Sequence, residues 1–335
     1  MPAGAILTGG VLKGNLGRVG WLRDRTWTRP LVVGLAWTAA AGMFLVLVMG
    51  VTVTTTGSAE GCGRDWPLCH GRFLPDFAVA TAIEFSHRAV TGVEGILIVA
   101  LAVLAGVLHW DRRPIRVLVP LMLGFLFLQA GMGAWAVKYP QQPVVLALHF
   151  GISLVALAST VLVALYMGRL DRPAPRPVGG AAVGLTWMMA GFLYVLVYSG
   201  AYVRHLGAAA ACTSWPLCGS GVNLLHRGLA GLALLLAIGL LVLYNAVAPD
   251  RRDLIAGAWV LVAALLVQGL VGASLVWAGF SLFPELAHAA VTGLVFTAAA
   301  ALCLRVTLSQ PSRVSRQAVV GGPRAEPVAT STRTS

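Results

Sequence analysis

Eight long apolar runs dominate this chain, near Leu31–Val53, Ala78–Leu108, Val117–Val137, Val144–Gly168, Ala181–Val203, Leu224–Val247, Leu254–Ala278 and Phe283–Leu304. Each is long enough to cross, as a helix, a hydrocarbon core about 30 Å thick. A backbone amide left unpaired in hydrocarbon costs several kcal/mol, so each run reads as an α-helix, and eight runs of this length do not suit a barrel. Composition excludes a soluble globule. With 58% hydrophobic and 11% charged residues and a mean hydropathy of +0.83, the 335 residues lack the polar surface to wrap one. The expected fold class is an all-α polytopic membrane protein with eight transmembrane helices.

The net charge of +12 raises the question of an anionic partner, and the placement of the charges answers it. One face collects Lys13, Arg18, Arg23, Arg25 and Arg29, then Arg112, Arg113 and Arg116, then Arg169, Arg172 and Arg176, then Arg251 and Arg252, and finally Arg305, Arg313, Arg316, Arg324 and Arg333. The other face has Arg64, Arg72, Lys138 and Arg204. The positive-inside rule then makes both termini cytoplasmic, and no nucleic-acid partner is needed to explain the charge. The first apolar run is longer than a signal-peptide core and lacks a small-residue cleavage site, so no cleavable signal is expected. With 22 Arg against 2 Lys and abundant Ala, Val and Gly, a bacterial plasma membrane is expected. The tail from Gln310, rich in Ser, Arg, Pro and Thr, reads as disordered.

The chain repeats itself once. His87 to His226, His149 to His288, Gln129 to Gln268 and Gly133 to Gly272 are each separated by 139 positions. In the loops the offset becomes 149 for Trp66 to Trp215 and Cys69 to Cys218, and 150 for Cys62 to Cys212. Four helices have been duplicated in tandem. Because four is even, both copies insert the same way, and a pseudo-twofold axis along the membrane normal is expected. The expected organisation is an N-terminal arm (1–30), a first four-helix half (31–168), a Pro- and Arg-rich linker (169–180), a second half (181–306) and a tail (307–335).

Helices two and four of each half carry one histidine apiece near their outer ends. At about 1.5 Å rise per residue, His87 lies about 32 Å above Leu108 and His149 about 29 Å above Gly168, so the two are level. The same holds for His226 and His288. Ionisable side chains at membrane depth are functional suspects by default. A single one could merely bond a neighbouring helix, and two imidazoles could begin a zinc or copper site, but no Asp, Cys or third His joins them. Two facing imidazoles in an apolar bundle are what a six-coordinate haem requires. His70, His109 and His205 fit no such pattern, and Cys303 reads as a small core residue.

The halves differ near these ligands. Glu84 stands three residues before His87, and its counterpart in the second half is Asn223. A carboxylate can relay protons where an amide cannot, which makes the first half the reactive one; the alternative for Glu84 is a helix-start acid favoured by the dipole. Glu285, three residues before His288, reads as such a first-turn acid. Arg204 has Thr54 as its counterpart and suits a propionate, while Gln129 and Gln268 read as interhelical hydrogen-bonding amides.

The two related loops, GCGRDWPLCHG at Gly61–Gly71 and ACTSWPLCGSG at Ala211–Gly221, are too widely spaced for a CxxC redox turn. On the outer face, where disulfides persist, bonds Cys62–Cys69 and Cys212–Cys218 would close lids over the two halves and bring Trp66 and Trp215 near a haem edge. Zinc held by all four cysteines is the other geometry they allow.

The runs TTTGSAEGCGRDWPLC, IEFSHR (Ile83–Arg88), LALHF (Leu146–Phe150), YVRHLGAAAACTSWPLC (Tyr202–Cys218), LLHRGLAG (Leu224–Gly231) and LAHAAVTG (Leu286–Gly293) resemble the haem A synthase (CtaA/Cox15) family across all eight helices. The resemblance implies oxidation of the C8 methyl of haem O to a formyl, giving haem A for cytochrome c oxidase. It implies substrate haem between His87 and His149, haem B between His226 and His288, and Glu84 as the essential acid of a Glu-x-x-His-Arg motif. Arg88, Arg204 and Arg227 become candidate propionate contacts. The chain departs from the family pattern at Thr54-Thr55-Thr56, where an Arg often stands, and at Gly63-Arg64-Asp65, where Pro-Asp often precedes Trp-Pro. Implied partners are haem O, the lipid bilayer, an electron donor or acceptor, a haem O synthase and cytochrome oxidase assembly factors. The competing reading is a dihaem b-type electron carrier or quinone oxidoreductase, and a third is a haem transporter. The difference between Glu84 and Asn223 favours the enzyme, since a carrier needs only conduction at both sites.

Overall fold

The computed structural model describes residues 27–73, 78–139, 142–205, 212, 214–218 and 220–310. Most of the N-terminal arm and the tail beyond 310 lie outside them. The described residues form eight helices: α1 (Thr28–Thr55), α2 (Val79–His109), α3 (Arg113–Lys138), α4 (Pro143–Gly168), α5 (Gly180–His205), α6 (Gly221–Val247), α7 (Arg252–Trp277) and α8 (Leu282–Leu308). All eight are long and apolar enough to cross a membrane. At 26 to 31 residues each they exceed the thickness of a hydrocarbon core, so their ends reach into the interfaces or the helices tilt. Pro120 lies inside α3 without ending it. The two Pro-led starts, at α3 and α4, use the helix position where a missing N–H costs nothing.

Each half closes on itself: α1–α2–α3–α4–α1 pack in a ring, and so do α5–α6–α7–α8–α5. Exchanging the halves leaves the list of packed pairs unchanged, since α1 against α8 becomes α5 against α4 and α4 against α8 maps onto itself. One apolar cluster gathers Met43, Ile98, Leu101, Met122, Leu154 and Met167, and a second gathers Met189, Ala237, Tyr244, Leu254, Leu261 and Leu302. Gly293 lets α8 approach the first half closely: a Cβ there would stand 2.9 Å from Leu47 and 3.3 Å from Leu157.

The arginine-rich ends are tied together rather than left as loose charge. Arg29 pairs with Asp171, Arg176 with Asp250 at 2.7 Å, and buried Arg251 with Asp253 at 2.8 Å. The guanidinium of Arg176 holds the Asp250 carboxyl below the usual carboxylate range. Cys303 is the free cysteine among the described residues; it is buried, and its thiol faces the Thr186 carbonyl at 3.6 Å.

Candidate functional site

At the end of the bundle opposite these arginine clusters, a cavity of about 1580 Å³ runs across both halves. That exceeds the roughly 300–1,000 Å³ of an ordinary single-ligand pocket. All four histidines predicted from the repeat line it, together with Glu84, Arg204 and the two lid tryptophans. His87 and His149 line it from the first half, and His226 and His288 from the second, so each half contributes two.

Every one of these rings lies against a glycine on the neighbouring helix. A Cβ at Gly50 on α1 would stand 3.3 Å from His87 Cε1, and one at Gly133 on α3 would stand 3.4 Å from His149 Cε1. In the second half the distances are 2.8 Å from Gly200 to His226 and 3.4 Å from Gly272 to His288. At Gly200 even a methyl would force the ring to move, while at the other three it would meet the ring in tight contact. Gly133 and Gly272 share the 139 offset of the histidines. Gly50 and Gly200 share the 150 offset of the loops, a signal the sequence carried and the motif reading missed.

The fourfold cradle is repeated, but the bonds to the rings are not. In the second half Ser199 Oγ lies 2.8 Å from His226 Nδ1. Gln268 Nε2 donates to the His288 carbonyl at 3.1 Å and to Thr292 Oγ1 at 2.8 Å, and lies 3.2 Å from both ring nitrogens of His288. In the first half, Nδ1 of His87 and of His149 are buried with no hydrogen-bond partner; the Oε1 atoms of Gln129 and Gln268 are unbonded in both halves alike. The position matching Ser199 is Met49. An outer-shell hydrogen bond fixes the tautomer and orientation of a ligating histidine; His226 has such a partner in Ser199.

The lids complete the roof. Both predicted disulfides, Cys62–Cys69 and Cys212–Cys218, are formed, so the four sulfurs are not arranged as a zinc cage. Both loops contain a cis Trp-Pro bond, at Trp66-Pro67 and Trp215-Pro216. The first lid is pinned to α2: Thr81 Oγ1 donates to the Gly61 carbonyl at 2.6 Å, and a Cβ at Gly61 would overlap the Ala80 carbonyl. His70 Nε2 donates to the same carbonyl at 2.9 Å.

Buried Glu84 joins lid to helix. Its Oε2 accepts the Cys62 N–H at 2.8 Å, and its Oε1 pairs with Arg88 one turn on. Arg88 also donates to the carbonyls of Asp65 and Leu68. Arg227 repeats this, donating to Ser214 O at 3.0 Å and Pro216 O at 2.7 Å, with its guanidinium 4.9 Å over the Trp215 ring. Two of the three arginines expected at propionates, Arg88 and Arg227, thus spend these donors on lid carbonyls, while both still line the cavity. Arg204 pairs with Glu285 at 2.8 Å, and Thr55 Oγ1 donates to the same carboxylate at 2.8 Å. Arg204 also reaches Thr54, its own counterpart in the repeat, at 3.3 Å. Glu285 is a first-turn acid of α8, as its position predicted, and it also ties the halves together. Asn223 is buried at the position of Glu84 and bonds Ser220 Oγ at 3.1 Å.

Among the described residues no three His, Cys, Asp or Glu side chains cluster to hold a bare metal ion. Two imidazoles per half, glycine-backed and facing a large cavity, instead suit a flat apolar macrocycle that brings its own four equatorial donors to the iron.

Comparison with known proteins points the same way. The profile of the COX15-CtaA family, described as cytochrome oxidase assembly protein, matches residues 34–300. A "Heme A synthase" of an Exiguobacterium species is 40% identical over 259 residues, covering 74% of this chain and 84% of the relative. Proteins of the same name from Symbiobacterium thermophilum and Listeria welshimeri are 37% and 35% identical, covering 78% and 81% of this chain and 90% and 94% of their own lengths.

Proposed function

This chain belongs to the COX15-CtaA family of cytochrome oxidase assembly proteins, and we propose that it works as a haem A synthase, an oxidoreductase that converts the C8 methyl of haem O to a formyl. Family membership over most of the chain favours this over a dihaem electron carrier. We further propose a division of labour: His87 and His149 receive the substrate haem, and His226 and His288 hold a resident haem B. The observation that carries it is the unequal support of equivalent histidines. In the second half Ser199 bonds His226 Nδ1 and the Gln268 amide lies against the His288 ring, as suits a permanent ligand set, whereas the first-half pair has unbonded Nδ1 atoms and the acid. The lids then face the outer side of a bacterial plasma membrane, with both termini cytoplasmic, and the two halves are related by a pseudo-twofold axis along the membrane normal.

When bound, haem B supplies one-electron redox chemistry that no side chain here can supply. The chain's own residues bind, orient and move protons. His87 and His149 present neutral imidazole nitrogens to the substrate iron, and Gly50 and Gly133 leave the rings room. Glu84, three residues from His87 on the same face of α2, is the first half's carboxyl at the cavity wall, able to take or give a proton there. Its bond to the Cys62 amide couples that acid to the lid. Arg204, at the mouth between the halves, is the proposed propionate contact, with Arg88 and Arg227 beneath the lids. The lids restrict water over the reacting half. A haem O synthase would supply the substrate, and an electron partner would accept or donate at the second half.

The test is co-expression of the full chain with a source of haem O, followed by extraction and chromatography of its pigments. The expected result is haem B together with haem O and haem A. Two haem B equivalents and no haem A would overturn the reading.

A further inference from the structure

Glu94 is buried in the middle of α2, 3% exposed, and belongs to none of the contacts above. Its Oε1 has no hydrogen-bond partner. The carboxyl rests on the backbone of Gly42 in α1, so closely that a Cβ at position 42 would overlap Oε2. Any side chain there would displace the acid; the glycine makes its berth. An intramembrane acid is costly to keep, and an unsatisfied buried carboxyl calls for a reason beyond packing.

Its register supplies one. Glu84, His87, Thr91 and Glu94 follow one another at spacings of three, four and three, which places them on a single face of α2. Thr91 lines the cavity and donates to the carbonyls of His87 and Arg88 at 3.0 and 2.7 Å. The matching positions in the second half are Asn223, His226, Ala230 and Ala233, and the position matching Gly42 is Phe192. Only the histidine is shared. The glycine and acid of one half are a phenylalanine and an alanine in the other, so the pair has changed together.

We infer that Glu94 is a redox-linked proton site serving the first-half iron. The inference rests on the reading that this half receives a haem. In the proposed step, an external one-electron donor adds an electron to the ferric iron, giving ferrous iron, and one proton from solvent adds to the Glu94 carboxylate, giving the acid. Charge entering the half is thereby neutralised, and reoxidation releases both. Seven residues of helix separate Glu94 from His87, about 10 Å. At that distance and an effective dielectric near 20, a proton on Glu94 favours the reduced iron roughly tenfold.

Few other groups can do this. On α1 no titratable side chain lies between Arg29 and Thr55, and on α3 none lies between Arg116 and Lys138. On α2 the others are Glu84, His87 and Arg88 at the lid end and His109 at the far end.

The experiment uses the full chain loaded with haem, comparing wild type, Glu94→Gln and Glu94→Ala. The alanine is the residue the second half carries at this position, so it guards against misfolding. Reduced-minus-oxidised infrared spectra should contain a carboxyl C=O band in wild type that is absent in both variants and persists in Glu285→Gln. One haem component should have a midpoint potential that varies with pH in wild type and loses that variation in Glu94→Gln. Identical difference spectra and identical pH dependence in wild type and Glu94→Gln would overturn the inference. Failure of the functional reading would appear separately, in wild type that makes no haem A.

Discussion

The two halves place four histidines alike and support them differently. Each ring has its glycine, yet His226 has Ser199 where the matching first-half position is Met49, and the Gln268 amide bonds across to α8 while the Oε1 atoms of Gln129 and Gln268 are unbonded alike. Along the equivalent helices α2 and α6 acid is distributed the opposite way, with Glu84 and Glu94 in the first half against Asn223 and Ala233 in the second, while the second half's Glu285 on α8 is held by Arg204 and Thr55. Duplication preserves what binding an iron macrocycle demands of a bundle. What diverges is whatever separates holding a cofactor from reacting on a substrate: ring fixation on one side, proton-bearing groups on the other.

Exchange of ligands should break the comparison most sharply. His288→Ala should remove essentially all haem B and with it haem A formation, whereas His87→Ala should abolish haem A formation and leave haem B in place; haemochrome spectra of purified chains distinguish the two. Ser199→Ala should weaken second-half haem retention about 10–100-fold, as the loss of an outer-shell partner does at other metal sites, and Met49→Ser should leave the second half unchanged. Gly200→Ala forces a methyl to 2.8 Å from the His226 ring and should weaken retention roughly tenfold, against a smaller effect for Gly272→Ala, where the ring is 3.4 Å away. Haem loss to a competing apoprotein reads both. Breaking either lid disulfide should cost about 2 kcal/mol in thermal or denaturant unfolding. Cys62→Ser should reduce haem A formation more than Cys212→Ser, because Glu84 accepts the Cys62 amide and Asn223 has no such charge to lose.

Much of this was legible from the chain. Apolar length dictated the eight helices, because in hydrocarbon there is no other way to pair the backbone. The constant offset from His87 to His226 and from His149 to His288 identified the repeat, equal depth paired the histidines within each half, and the loop offsets related the two cysteine loops. Contacts between helices were harder to read. Glu94 is hidden in an apolar run and stands out only once its counterpart is seen to be Ala233 and the glycine opposite it to be replaced by Phe192. Ser199 and the Gly50–Gly200 pair lie on helices without ligands, and their relation to the rings depends on helix rotation, which spacing along one helix does not encode. Arg88 and Arg227 looked free for propionates because the lids' carbonyls carry no side-chain signature.

The central claim, that chemistry belongs to the first half alone, is tested most directly by the pigments of Glu84→Gln. The glutamine can still accept the Cys62 amide, so the lid keeps its anchor while the proton-accepting group is gone. Co-expressed with a haem O source, this variant should retain haem B and haem O while haem A formation falls by about 10²–10⁴-fold. Haem A at wild-type levels from Glu84→Gln, or loss of haem B along with it, would contradict the account.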